Sequence, residues 1–393
     1  MDIRNLRLAL FTGNYNYVRD GANQALNRLV RYLMQQGASV RIYSPRSETP
    51  AFPAVGKVIA VPAIPFPGRS EYCIPIALTS RVRRDIKDFA PNIIHIASPE
   101  YLGHRAVSLA RKWNLPAVAS VHTRFETYPR YYGMPFLEPV IEAILRRLYR
   151  RCDAIFAPSE SMAQVLRDQR MSYDVRIWSR GVDRQLFSPK ARDMNFRRDF
   201  GINDHEVVIG FVGRLVMEKG LDVFSDTIDE LIRRQIAHRV MIIGDGPARG
   251  WFERRLPQAI FAGFHTGKAL ARAVASTDLL FNPSVTETFG NVTLEAMATG
   301  RPVVAAQATG SESLIEDPLM GRLIRPGAIK DFADALQDYC ENKNLREETG
   351  YRGYEMSDRY GWDNVNQVLA DSYLSIIQAR MQSGYPPRLR PRS

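Results

Sequence analysis

The sequence predicts an α/β chain of two parallel-sheet domains, on three observations. Short apolar, partly β-branched runs alternate with helical patterns along the chain, and strands that alternate with helices pair in parallel through right-handed crossovers. The alternation comes as two successive series. Finally, 393 residues are too many for one ordinary hydrophobic core.

In the first series, residues 6–11 read as a strand, 12–21 as a loop, and 23–36 as a helix that Gly37 ends. Apolar runs over 39–43, 57–61, 93–96 and 117–121 follow as strands. Residues 139–151 are amphipathic, with Ile141, Ile144, Leu145 and Leu148 at helical spacing opposite Arg146, Arg147, Arg150 and Arg151. The second series runs through a strand over 207–212, a helix near 221–234, a strand over 240–243 and a helix near 270–275. A strand over 279–282, a helix from Asn291 and a strand over 303–306 complete it. Two such series describe two Rossmann-like domains, residues 1–185 and 186–362, joined near 181–189. Ligands then belong in the cleft outside the carboxyl ends of the strands. The Pro- and Arg-rich segment 383–393 reads as a disordered tail.

Composition excludes several classes. Hydrophobic content of 45% with 24% charged residues is that of a globular chain, not a disordered or fibrous one. No apolar run approaches the roughly 18–20 residues that span a bilayer. The amino-terminal apolar stretch of four residues is too short for a signal-peptide core. Cys73, Cys152 and Cys340 are scattered, without the spacing of a disulfide framework or a zinc site. A cytoplasmic enzyme is the expectation. Residues 1–184 hold 27 Lys and Arg against 15 Asp and Glu, and the remainder 26 against 27, so nearly all of the net charge of +11 lies in the first half. Because 45 of the 53 basic residues are Arg, a compositional bias explains Arg over Lys, but not this asymmetry. A basic half points to an anionic partner such as a membrane surface or a phosphorylated ligand; no nucleic-acid motif accompanies it.

The segment Ser284-Val-Thr-Glu-Thr-Phe-Gly-Asn-Val-Thr-Leu-Glu carries the most chemistry. A strand enters a polar loop containing Gly290, and a helix starts near Asn291. That order turns free backbone N–H groups toward the cleft, a natural phosphate site. Glu287 precedes the helix and Glu295 lies one turn inside it, presenting carboxylates at two depths that suit hydroxyls of two sugar rings. Both would repel phosphate, so cations are required. Gly213-Arg-Leu-Val-Met-Glu-Lys-Gly supplies them: Arg214 and Lys219 in a strand-to-helix loop can neutralise a diphosphate and stabilise it as it leaves. His122 ends the strand over 117–121 on the cleft side. A lone histidine after a buried strand is often only structural, but that position favours the site. Tyr128, Tyr131 and Tyr132 cluster just downstream, as core, as a stacking surface for an acceptor sugar, or as a contact for acyl chains. The Gly244-Asp-Gly-Pro turn lacks the GxGxxG of a dinucleotide site, which argues against a dehydrogenase. No DxD-type carboxylate pair sits in a loop placed to hold a metal, so metal-independent chemistry without a cofactor is expected.

These motifs, in this order, resemble the retaining glycosyltransferases of family 4: GRLxxEKGLD from Gly213, GDGP over 244–247, and TETFGNVTLEAMATGRPVV from Thr286. Glu287 and Glu295 form its Glu-x7-Glu element. Asp20-Gly-Ala-Asn, Ser120-Val-His-Thr-Arg-Phe-Glu-Thr-Tyr and Arg176-Ile-Trp-Ser-Arg-Gly-Val-Asp extend the likeness through the first half. The last two, with Phe261–Phe264, look most like the branch of GDP-mannose-dependent α-mannosyltransferases and sulfoquinovosyl-diacylglycerol synthases, many of which glycosylate lipids.

The resemblance implies a GT-B architecture, with two Rossmann-like domains facing across a cleft and a carboxyl-terminal helix, about 363–382, crossing back to the first. It implies that Arg214 and Lys219 bind the diphosphate, Glu295 the ribose and Glu287 hydroxyls of the transferred sugar. Backbone groups at Phe289, Gly290 and Asn291 would line sugar and phosphate, and Gly244 would join the donor-binding set. In the first, acceptor-binding domain, Gly21 would approach the diphosphate closely, with Ala22 where family members often carry a second glycine. His122 would reach the transferred sugar. The expected reaction moves an α-linked hexose or uronic acid from a UDP- or GDP-sugar to an acceptor hydroxyl, with departure and attack on one face. The expected acceptor is a membrane lipid, reached by peripheral binding of the basic half at the inner face of the membrane through the helix over 139–151 and the segment 81–87. A soluble or lipid-linked glycan is the alternative acceptor. Nucleotide-sugar hydrolysis or epimerisation, and a silent nucleotide-sugar-binding module, are the alternative functions.

Overall fold

A computed structural model describes residues 1–17, 21–46, 50–66, 69–122, 124–127 and 134–383. The chain divides into two compact units, Met1–Ser179 together with the chain from Asp363, and Arg180–Trp362.

In the first unit the strands are β1 (Arg7–Phe11), β2 (Ser39–Ser44), β3 (Lys57–Ala60), the antiparallel pair β4 (Ala63–Phe66) and β5 (Arg69–Pro75), β6 (Ile93–Ile96), β7 (Ala117–Ser120), β8 (Ala154–Ala157) and β9 (Val175–Ile177). Seven of them form a parallel sheet in the spatial order β3-β2-β1-β6-β7-β8-β9. Every residue of β6, β7 and β8 is buried, as befits central parallel strands covered on both faces by helices. The helix Trp362–Gln382 packs onto this unit. Tyr32 bonds Gln367, Arg380 pairs with Asp153 and donates to Asn114 Oδ1 at 3.0 Å, and Tyr373 is fully buried.

The second unit holds β10 (Val208–Val212), β11 (Arg239–Ile243), β12 (Ile260–Gly263), β13 (Leu279–Asn282), β14 (Val303–Ala306) and β15 (Arg322–Ile324). All pair in parallel, in the order β12-β11-β10-β13-β14-β15. One face of the sheet is filled by aromatic packing: Phe224 stacks on Phe281 at 4.9 Å, and Phe211 and Phe252 meet Phe224 edge-on. Sequence patterning finds β1, β2, β3, β6 and β7 of the first unit and β10, β11, β13 and β14 of the second, and misses β4, β5, β8, β9, β12 and β15, of which β9, β12 and β15 are short and only half-buried. Among the described residues no helix is long and apolar enough to cross a membrane.

A buried charge cluster closes the amino-terminal edge of the second sheet. Asp278 accepts from Arg192 at 2.7 Å, from the fully buried Arg197 at 2.7 Å and from the Val208 amide at 2.8 Å. Burial favours the neutral acid, but the Arg192 and Arg197 guanidinium groups and the amide outweigh it and hold the carboxyl below its usual range. Removing one partner from such a cluster leaves an uncompensated buried charge. Asp278→Ala is therefore expected to cost about 3–5 kcal/mol of stability, read by urea unfolding, and a loss under 1 kcal/mol would contradict the cluster's role.

Candidate functional site

The order of the second sheet reverses direction between β10 and β13. Loops leaving these neighbours diverge to opposite faces and open a crevice at the carboxyl ends. The loop after β10 carries Arg214, exposed, and Lys219, half-buried. Leu215, fully buried between them, anchors the loop in the core. Its amide donates to the Asp245 carbonyl at 3.0 Å and its carbonyl accepts from the Ala248 amide at 2.9 Å, joining the loop after β10 to that after β11. What the structure shows of Gly244 is this packing: a Cβ there would fall 1.9 Å from the Gly213 carbonyl oxygen. Gly220, with φ of +73°, ends the turn Met217–Lys219 and starts the helix Leu221–Arg233. A Cβ on it would meet the Pro283 carbonyl oxygen at 3.0 Å, so this loop lies directly on the loop after β13.

Across that contact Lys219 Nζ donates to Glu287 Oε1 at 2.5 Å. Both side chains keep about a quarter of their surface exposed, 26% and 21%, so either can exchange its partner for a ligand. Phe289 is buried edge-on against Tyr360. Gly290, with φ of +90°, starts the helix Asn291–Ala298, which no side chain caps. The first carbonyl of that helix, Gly290, is taken by the Leu294 amide, so the amides of Asn291, Val292 and Thr293 lie in the turn without intrahelical acceptors, at the positive end of the helix. Glu295 sits one turn further in, half-buried. The arrangement places a cation, a carboxylate and three amides around one crevice. Cation and amides suit phosphoryl oxygens; the carboxylate suits hydroxyl donors.

Sequence reasoning missed Gly310, in the short helix Thr309–Glu312 that follows β14. A Cβ there would lie 2.8 Å from Glu287 Cβ and 2.9 Å from the Glu287 carbonyl oxygen. Only glycine lets the segment after β14 press against the Glu287 loop and fix it. The signal for it is a glycine four residues past a buried strand end.

In the first unit, Gly21 opens the helix Gly21–Gln35. The sequence-predicted Tyr128, Tyr131 and Tyr132, with Asp20 and the segment 384–393, lie outside the described residues. His122 follows β7 and meets Trp178 edge-on at 5.8 Å, and its Nε2 lies 2.8 Å from Ser120 Oγ. This sheet also reverses, between β1 and β6. There sequence reasoning missed Gly13 and Glu100. The Gly13 amide donates to Ser98 Oγ at 2.9 Å, and the Glu100 carboxyl occupies the space a Gly13 side chain would need, its Oε2 2.1 Å from that Cβ position. Glu100 Oε2 is buried without a hydrogen-bond partner, and burial pushes this carboxyl up to about 7.

A cavity of about 660 Å³ in the second unit, lined by Arg192, Asp278, Arg301 and Arg346 among others, opens at the amino-terminal ends of β10, β13 and β14. That is the wrong end of a parallel sheet for a substrate, and none of the sequence-predicted residues lines it.

Residues 19–186 match the model of Glycosyltransferase Family 4, and residues 206–342 that of Glycosyl transferases group 1. The chain is 31% identical over 367 residues to the sulfoquinovosyl transferase SQD2 of Arabidopsis thaliana, covering 91% of this chain and 71% of that one. It is 31% identical to the GDP-mannose-dependent alpha-mannosyltransferase of Mycobacterium tuberculosis (85% and 86% covered) and 24% identical to the alpha-monoglucosyldiacylglycerol synthase of Streptococcus pneumoniae (94% and 87%). Among solved structures, the sucrose-phosphate synthase of Thermosynechococcus elongatus superimposes with a TM-score of 0.78 at 17% identity, over 95% of this chain and all of that one, which establishes the GT-B fold.

A raised acid pKa in the folded state means that the fold binds the Glu100 proton more tightly than the unfolded chain does. Stability is then lost as pH rises from 4.5 through 7. Glu100→Gln should raise the melting temperature relative to the parent more at pH 8 than at pH 5. Equal differences at both pH values, by scanning calorimetry, would contradict the buried, unpartnered carboxyl.

Proposed function

The chain belongs to glycosyltransferase family 4, and from that premise we propose that it is a retaining enzyme that moves an α-linked sugar from a UDP- or GDP-sugar to a lipid hydroxyl. The observation that carries the donor half is the Lys219–Glu287 pair beside the uncapped helix at Asn291. The cation and the carboxylate each have a part of a nucleotide sugar to take: Lys219 the diphosphate, Glu287 the hydroxyls of the sugar. Arg214, Lys219 and the amides at 291–293 stabilise the leaving diphosphate, the charge that develops in the transition state. Two cations and a helix terminus do the work a metal does elsewhere, so the reaction runs without one. Glu295 holds the ribose, and His122 reaches the transferred sugar from the first unit, which binds the acceptor. Departure and attack share one face of the sugar, the donor phosphate helping to take the acceptor proton, and configuration is retained.

Two surfaces of the first unit support a lipid acceptor. On the helix Ser80–Phe89, Arg81, Arg83, Arg84 and Lys87 are all exposed, and the last three share a shallow depression with Lys112 and Trp113. On the helix Glu138–Tyr149 and the turn before it, Phe136, Val140 and Ile144 follow at four-residue intervals and are 72%, 55% and 51% exposed. The sequence pattern puts Ile144 with the buried Leu145 and Leu148, yet it faces outward with Val140. Meanwhile Arg146 and Arg150 of that helix reach back to the Gln169 and Arg170 carbonyls. An apolar stripe of this kind enters the acyl boundary of a bilayer, while each basic residue near an anionic surface adds ~1 kcal/mol. The name of the streptococcal relative, a diacylglycerol glucosylating synthase, agrees with that acceptor class.

The test is turnover by the purified chain with UDP- and GDP-sugars, with and without anionic vesicles containing diacylglycerol. Acceptor-dependent nucleotide release and a glycosylated lipid are expected. Release that is equal with and without acceptor would mean hydrolysis instead. Arg214→Ala should lose at least ~100-fold in turnover, and a fully active variant would sink its assignment. Replacing Val140 and Ile144 together by Asp should lower co-sedimentation with anionic vesicles several-fold and leave nucleotide binding unchanged. Undiminished co-sedimentation would remove the stripe from the membrane contact.

A further inference from the structure

Behind His122 runs a closed chain of hydrogen bonds. His122 Nε2 lies 2.8 Å from Ser120 Oγ, Ser120 Oγ 2.9 Å from His95 Nε2, and His95 Nδ1 2.6 Å from Tyr373 Oη. Ser120 is 3% exposed, and His95 and Tyr373 are fully buried. His95 stands edge-on to Trp178 and Tyr373, and Phe156 packs edge-on to Tyr373.

Hydrogens can run along this chain in two directions, because Ser120 has one to give and a neutral imidazole has one; if both imidazoles instead donated to Ser120 Oγ, the hydrogen of that buried hydroxyl would be the one stranded. His95 is neutral, since its burial pushes it down to about 3. In one direction His122 donates from Nε2 to Ser120, Ser120 to His95 Nε2, and His95 from Nδ1 to Tyr373. The Tyr373 hydroxyl hydrogen is then stranded, because His95 is the hydrogen-bond partner of that phenol among the described residues and it is already donating. A stranded buried donor forfeits its full solvation. In the other direction Tyr373 donates to His95 Nδ1, His95 Nε2 donates to Ser120 Oγ, and Ser120 donates to His122 Nε2. Every hydrogen from Tyr373 Oη to His122 Nε2 is then used.

We infer that Tyr373, on the carboxyl-terminal helix, fixes His122 through His95 and Ser120 as the neutral tautomer with its hydrogen on Nδ1, so that His122 meets the substrate as a hydrogen-bond donor and not as a base through Nε2. The functional half of this rests on the reading of His122 as a residue that reaches the transferred sugar. The tautomer itself does not. A donor at that place serves a sugar hydroxyl oxygen. A hydrogen on His122 Nε2 would turn the Ser120 hydrogen out of the chain and strand it, or reverse the chain and strand that of Tyr373. Tyr373, His95 and Ser120 are positioning residues. The returning helix supplies a chemical end-stop to the site as well as packing.

With six histidines in the chain, imidazole carbon and nitrogen NMR of the full-length protein, labelled at histidine and assigned with His122→Ala, reads the tautomer directly. The parent should show His122 with its hydrogen on Nδ1. Tyr373→Phe removes the end-stop and should move His122 toward a mixture with the Nε2–H form, with a several-fold loss in kcat and unchanged nucleotide affinity. Ser120→Ala, which cuts the chain next to His122 with a smaller side chain, should do the same if the phenol variant is poorly folded. An Nε2–H tautomer in the parent, or an unchanged His122 signal in both variants, would overturn the inference. Full activity of His122→Ala would overturn the functional half alone, since the spectrum is read without substrate.

Discussion

A parallel sheet that starts in its middle cannot avoid a point where the chain order reverses, and both units are built around one. At β10 and β13 the reversal sends two loops apart and sets at the crevice the start of the helix Asn291–Ala298, whose first amides have no acceptor within the helix and no side-chain cap. Everything that gives the second unit its chemistry follows from filling that crevice with loops that can afford to be close. Gly213 and Gly244 touch backbone to backbone, Gly220 lies on Pro283, and Gly310 lies on Glu287. Each is a place where a side chain would separate two loops that must meet.

One cation and one carboxylate of the crevice are already paired with each other. Lys219 and Glu287 come from loops on either side of the reversal and neutralise each other at 2.5 Å. Solvent-accessible ion pairs of this kind, about a quarter exposed, contribute little stability, so exchanging partners is cheap. In the function proposed above, a phosphate takes the ammonium and a sugar hydroxyl takes the carboxylate. The same loop geometry that makes the pair also sets it beside the start of the helix Asn291–Ala298.

The carboxyl-terminal helix gives the first unit a further dependence. Its Tyr373 packs on the sheet face at β6 and β8, and the hydrogen-bond chain that begins there ends on His122. A residue near the end of the sequence therefore sets the hydrogen position of one near its first third. At the reversal of this first sheet Glu100 sits against Gly13 with an unpartnered oxygen, a polar group whose neutral form the burial favours.

The sequence by itself determined the α/β class, most of the buried strands, the loops that carry Arg214, Lys219 and Glu287 and the helix that carries Glu295, because local hydrophobic period and motif spacing are properties of neighbouring residues. It did not determine β9, β12 or β15, which are three or four residues long and half-buried at sheet edges or next to them, so no apolar run marks them. Nor did it determine which loops meet. Lys219 finds Glu287 across 68 positions, and His95 finds Tyr373 across 278. Gly310 and Gly13 look like any loop glycine until the fold presses a carboxylate or a backbone against them. Ile144 turns outward although its spacing matches the core side of its helix. In each case the deciding quantity is a distance between segments far apart in the chain, which strand order creates and local pattern does not contain.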